Sequence, residues 1–111
     1  MNIQVTRHEN AVVVAAGGRL DAVTAAQFGK QLKDVIDGGS TRVVVDFQEL
    51  QYISSAGIRE LIAPAKLLEQ KGGQFCVANL NANVASVFAM CCLDRVLQVR
   101  GTVPEALAAL A

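Results

Sequence analysis

Two short runs, each built on three consecutive valines, constrain this chain most. Ala11 to Ala16 (AVVVAA) and Arg42 to Phe47 (RVVVDF) are short, valine-rich and bounded by turn residues. A strand with one wet face alternates apolar and polar residues. A strand with both faces covered does not, and such cover normally comes from helices laid on a sheet. The segments between and after the runs supply helices. Ala25, Phe28, Leu32, Val35 and Ile36 recur at helical spacing and stop at Gly38-Gly39, with Asp21 placed as the N-cap. Ile58, Leu61, Ile62, Ala65 and Leu68 form a second stripe, on a helix running from about Ser55 to Lys71 and ended by Gly72-Gly73. Pro64 removes one N–H from that helix and is expected to bend it.

The remaining segments continue the alternation. Asn2 to Arg7 and the first run, bounded by Gly17-Gly18, read as a β-hairpin about a Glu9-Asn10 turn. Gln74 to Ala78 (QFCVA) reads as a strand, and Asn81 or Asn83 as the cap of a short helix carrying Val84, Val87, Phe88 and Cys91. Val96 to Val99 is a last short strand, and Pro104 opens a small C-terminal helix. The order β-β-α-β-α-β-α-β-α predicts an α/β fold: a mixed, largely parallel sheet of about four to five strands, with helices packed mainly on one face. The length of 111 residues suits a single domain over 1–111.

Composition removes several function classes. The formal net charge is zero and aromatic residues make up 5%, so the chain offers neither a basic face for phosphate backbones nor a stacking platform for bases. No apolar run approaches the ~20 residues a membrane helix needs. The N-terminus MNIQVTRHEN does not read as a secretory signal. The cysteines are Cys76, Cys91 and Cys92, an odd count that fits a reducing, cytoplasmic setting better than a disulfide framework. Cys76 is expected in the core, with Cys91 and Cys92 divided between the core and a less buried position. His8 is the one histidine and stands beside no cysteine, so no metal site and no cofactor is expected.

The chemistry concentrates in Tyr52-Ile53-Ser54-Ser55-Ala56-Gly57-Ile58 (YISSAGI), where the strand region hands over to the second helix. Ser54 reads first as an N-cap and Ser55 as a first-turn hydroxyl. A phosphate at such a helix start gains free N–H groups and the positive dipole end. It also adds about −1.5 to −2 charge. Gly57 lacks a Cβ and would let a partner's backbone approach. Asp46 serves as a strand-end acid, either solvated or facing this loop, and Arg59 and Glu60 read as solvated-face charges. A hydrolase built on Ser55 would need a base, and its surroundings are not G-x-S-x-G.

Three stretches in order resemble the STAS domain, the fold of bacterial anti-sigma factor antagonists: GRLDAVTA at 18–25, VVVDFQELQYISSAGIREL at 43–61, and KGGQFCVANLNANVASVFAMCCLDRVLQV at 71–99. The resemblance covers nearly the whole chain. It implies a non-enzymatic partner switch that binds an anti-sigma factor acting also as a serine kinase, and that is released by phosphorylation and reset by a serine phosphatase. The acceptor position falls on Ser55, with Ser54 as the rival. Asp21, Ser54, Ser55, Ala56, Gly57, Ile58 and Arg59 are the implied partner-binding residues. The acid that usually precedes the acceptor is Ser54 here, and the following hydroxyl is Ala56. The alternative is a constitutive STAS-type interaction or scaffold module of a signalling or transport complex, without phosphorylation. A monomer or weak dimer is expected, with no nucleic acid and no membrane among its partners.

Overall fold

The computed structural model describes residues 1–9 and 11–110. Its strands are β1 (Asn2–Arg7), β2 (Val12–Leu20), β3 (Arg42–Asp46), β4 (Leu50–Ile53), β5 (Gln74–Ala78) and β6 (Gln98–Arg100). Its helices are α1 (Ala25–Asp37), α2 (Ser55–Gln70), α3 (Ala82–Met90) and α4 (Val103–Leu110), with a 3-10 turn at Leu93–Arg95. The sheet order is β1-β2-β3-β5-β6, with β4 pairing β2. Among the described residues, only the β1–β2 hairpin is antiparallel. The mixed, largely parallel α/β architecture is therefore as expected from the sequence.

The valine runs behave as fully covered strands. Val12 and Val14 of β2, Val43 and Val45 of β3, and Phe75 and Val77 of β5 pack with Phe28 and Leu32 of α1, Leu61 and Leu68 of α2, and Phe88 of α3. The alternate residues Val13, Val44, Cys76 and Ala78 meet Ala106 and Leu110 of α4 on the opposite face. Three helices thus cover one face and α4 covers part of the other. Phe28 and Phe47 anchor the first face, with ring centroids 5.9 Å apart. No helix among the described residues is long and apolar enough to cross a membrane.

The elements differ from the sequence reading in four places. First, β2 does not stop at Gly17-Gly18. It continues to Leu20 and changes neighbour, pairing β3 through Ala15 and β4 from Gly18. A Cβ on Gly17 would press on the Glu49 side chain, 2.9 Å away, so the glycine lets the approach to β4 close in. Second, β4 falls in a segment read as loop. Leu50 and Ile53 are its buried residues, with exposed Gln51 and Tyr52 between them, so no period-two signal exists. Third, α1 begins at Ala25, after a turn over 21–24 that Asp21 holds. Fourth, the last strand is Gln98–Arg100, because Leu93–Arg95 winds into the 3-10 turn and Leu97 is buried beside it. Of the expected Glu9-Asn10 turn, Asn10 lies outside the described residues. α2 is unbroken through Pro64, which is itself buried.

Candidate functional site

The parallel pairing of β2 with β4 builds the site. Arg19 lies opposite Tyr52, and Leu20 opposite Ile53. The chain therefore leaves the two strands side by side, at Asp21 and at Ser54. The Ser54 N–H donates to the Leu20 carbonyl at 2.8 Å and fastens the two exits together.

Ser54 is the N-cap of α2. Its backbone is extended (φ −97°, ψ 173°), and its Oγ accepts from the Gly57 N–H at 3.2 Å. Its carbonyl takes the first intrahelical bond, from the Ile58 N–H at 2.9 Å. That leaves the N–H groups of Ser55 and Ala56 as the first-turn donors without an intrahelical acceptor. Ser55 is the first residue of α2 and is exposed, whereas Ser54 is half-buried and its hydroxyl is engaged. The two serines are thus separated by geometry: one holds the helix end, the other presents its hydroxyl to solvent beside unsatisfied donors.

Asp21 binds the turn next door. Its Oδ1 accepts from the N–H groups of Val23 (3.0 Å) and Thr24 (3.1 Å), while the Thr24 hydroxyl donates to the Arg19 carbonyl at 2.7 Å. The Thr24 N–H holds the Asp21 carboxyl below its ordinary range, against a smaller opposing desolvation. The Val23 N–H, the Thr24 hydroxyl and the Arg19 charge add to the lowering. A fixed negative charge therefore stands where β2 ends, next to the start of α2.

The other residues expected at the site divide. Arg59 is exposed, and Ala56 and Ile58 are half-buried and pack against the core. Gly57 is buried, and the space its Cβ would take is filled from inside: Leu20 Cγ at 2.7 Å, Leu20 O at 3.0 Å and Ile53 Cγ1 at 3.1 Å. Its glycine is needed so that α2 can sit on the ends of β2 and β4, not so that a partner's backbone can approach. Glu60 is half-buried and lies over α1, where a Cβ on Gly29 would run into its carboxylate. Asp46 is engaged within the fold, its Oδ1 accepting from the Gln48 N–H (3.0 Å) and from Asn79 Nδ2 (2.9 Å).

Sequence reasoning missed several surface features around the serines. The Arg19 guanidinium carbon lies 4.4 Å from the Tyr52 ring centroid. Val23, in the Asp21 turn, is 87% exposed. A small apolar depression between β4 and α3 is lined by Tyr52, Ile53, Val84 and Val87. Asn81 fixes its wall by capping α3 (Val84 N–H, 2.9 Å) while donating to the Leu50 carbonyl of β4 (2.6 Å). Val23 stands within the GRLDAVTA stretch, yet only the folded turn reveals that it points outward. Arg19 and Tyr52 meet through the β2–β4 register, which the sequence did not show.

His8 follows β1 at the start of β2, while Ser55 follows the far end of that strand, beyond Leu20. Nine residues of strand separate the two ends, a span of roughly 25–30 Å, so His8 is no base for Ser55. Cys76 is buried, and burial pushes its thiol up. Cys91 and Cys92 are both exposed, rather than divided between core and surface, because α3 ends at Met90 and Cys91 is its C-cap. On the face that carries α4, an open groove of about 610 Å³ is lined by Gln4, Gly17, Asp46, Gln48 and Glu49 among others. It contains none of the serines.

Residues 2–106 match the model of the STAS domain family. BtrV of Bordetella bronchiseptica, named as an anti-sigma factor antagonist, is 32% identical over 79% of this chain and 76% of its own length. A Thermotoga maritima structure named for the same role superposes with a TM-score of 0.92 at 20% identity, covering 97% of this chain and 93% of that one. The Bacillus protein SpoIIAA, solved in its phosphorylated form, superposes with a TM-score of 0.75 at 20% identity, covering 99% of this chain and 100% of its own.

Proposed function

The chain belongs to the STAS-domain family, and on that premise we propose that it is an anti-sigma factor antagonist. It is a non-enzymatic regulator that binds an anti-sigma factor/serine kinase in the cytoplasm and is released when Ser55 is phosphorylated. A serine phosphatase restores the binding form. The relatives support this reading through BtrV, which is named for the same role, and through SpoIIAA, which has a phosphorylated form.

One observation carries the assignment of Ser55 over Ser54. The Ser54 hydroxyl is committed to the helix cap, while Ser55 is exposed on the first turn beside donors with no intrahelical partner. A phosphate on Ser55 is therefore accommodated by the protein's own helix end, so the fold survives modification. The partner's surface meets the new charge, together with that of Asp21, and the interface fails if it offers no compensating cations. Val23, Tyr52 and Arg59 are exposed around the serine and supply contact area. Ser54 fills the position of the family's usual acid. Serine and aspartate both serve as N-caps, so the helix start keeps its geometry without that acid.

Reconstitution tests the proposal. The purified protein is mixed with the anti-sigma factor kinase of its host and ATP, and complex and phosphate are followed together. Wild type incorporates phosphate and dissociates; Ser55→Ala binds and stays bound. A wild-type complex that persists with ATP present would instead favour a constitutive binding module.

A further inference from the structure

The outer edge of the sheet is open and self-complementary. Among the described residues, β1 pairs β2 on one side only and forms one end of the sheet. The His8 N–H donates to the Ala11 carbonyl at 2.7 Å. Bonded and non-bonded pairs alternate along an antiparallel ladder, so Thr6, Gln4 and Asn2 also turn their backbone groups toward β2. Ile3, Val5 and Arg7 turn theirs away from it.

Natural sheets usually blunt such an edge with lysine, proline, a bulge or a very short strand. β1 has six residues, and its register with β2 is unbroken from Asn2↔Gly17 to Arg7↔Val12. Between Asn2 and Thr6 it carries neither a charge nor a proline. The opposite edge, β6, has three residues. Ile3 packs against the core on the face of α1 and α2, and Val5 beside it is 41% exposed.

We propose that β1 is a homodimer interface, in which two copies pair their β1 strands antiparallel about a twofold axis at Gln4. In this register Ile3 meets Val5 of the second copy and Val5 meets its Ile3, so the outward-facing backbone groups of both residues are bonded. Those two apolar pairs continue the helix-covered face. On the other face Gln4 meets Gln4, and Asn2 meets Thr6. Over residues 2–6, polar residues thus oppose polar and apolar oppose apolar, the match that fixes a register, while Arg7 falls at its end opposite Met1 of the second copy. β3 and β4 flank β2 on the side away from β1, so the start of α2 stays uncovered in both copies. The dimer would present two switch helices at once.

Sedimentation equilibrium on the full chain, from about 10 µM to about 1 mM, tests this. Wild type should form dimers, and Val5→Lys should raise the dissociation constant at least about tenfold, a charge on an open edge being a blocking device. A chain monomeric over the whole range, or one whose association Val5→Lys leaves unchanged, overturns the proposal. The register has its own test. Opposed non-bonded residues lie about 4.5 Å apart at Cα, within disulfide reach. In a background with Cys91 and Cys92 replaced by serine, Gln4→Cys should cross-link under glutathione disulfide, and failure to do so would overturn the stated pairing.

Discussion

The backbone N–H of Ser54 donates to the carbonyl of Leu20 at 2.8 Å. This bond joins the two chain segments that carry Asp21 and Ser55. Leu20 precedes Asp21 and its turn; Ser54 precedes Ser55 and caps α2. The acid and the serine proposed as acceptor therefore share one corner of the sheet.

The two serines should separate in stability measurements. Ser54→Ala removes the acceptor of the Gly57 N–H and should cost about 1 kcal/mol. For a chain of this size that is a fall in Tm of about 4 °C. Ser55→Ala should stay within about 0.5 kcal/mol of wild type, as exposed substitutions do. Thermal unfolding of both variants checks the assignment of cap and acceptor.

Gly57→Ala should destabilise the fold, because the added Cβ would meet Leu20 and Ile53 at 2.7–3.1 Å. Overpacking of this kind costs about 1–3 kcal/mol. Denaturant unfolding measures the loss. A variant as stable as wild type would mean that α2 seats more loosely on β2 and β4 than the structure describes.

How much of this was legible in the sequence depended on the range of the interaction. The buried runs 43–45 and 75–78 and the stripes of α1 and α2 announced themselves, since each side chain's position follows from its near neighbours. Ser54 as a cap was readable for the same reason. The strand Leu50–Ile53 was not, because it is short and exposes its middle residues. The role of Gly57 was misread because its cause, the packing of Leu20 and Ile53, is tertiary. Cys91 was placed on a helix face that in fact ends one residue earlier.

Asp21 should make stability depend on acid in a defined direction. Its carboxyl titrates below the ordinary range in the fold, so the ionised form is the one that folding favours. The contribution is fully present above the unfolded value, about 3.9, and is lost as pH falls through the lower folded value. Asp21→Asn keeps an acceptor oxygen and removes the charge. Wild type should therefore exceed this variant in Tm near neutrality, and the gap should narrow as pH falls below the unfolded value of about 3.9. A gap that widens in acid would contradict the sign.

Ser55→Asp should leave the fold intact, because an acid on the first turn of a helix is neutral or stabilising by about 0.3–1 kcal/mol. The same variant should bind the anti-sigma factor kinase more weakly than wild type. Calorimetric titration beside thermal unfolding separates the two effects. Equal affinity at unchanged Tm would remove the electrostatic basis of the switch.

The most direct test is peptide mass spectrometry of the protein isolated from its own host with phosphatase inhibitors present. The account predicts phosphate on Ser55, with Ser54 unmodified because its hydroxyl holds the helix cap. Phosphate on Ser54 with Ser55 bare, or no phosphate across several growth conditions, would contradict it.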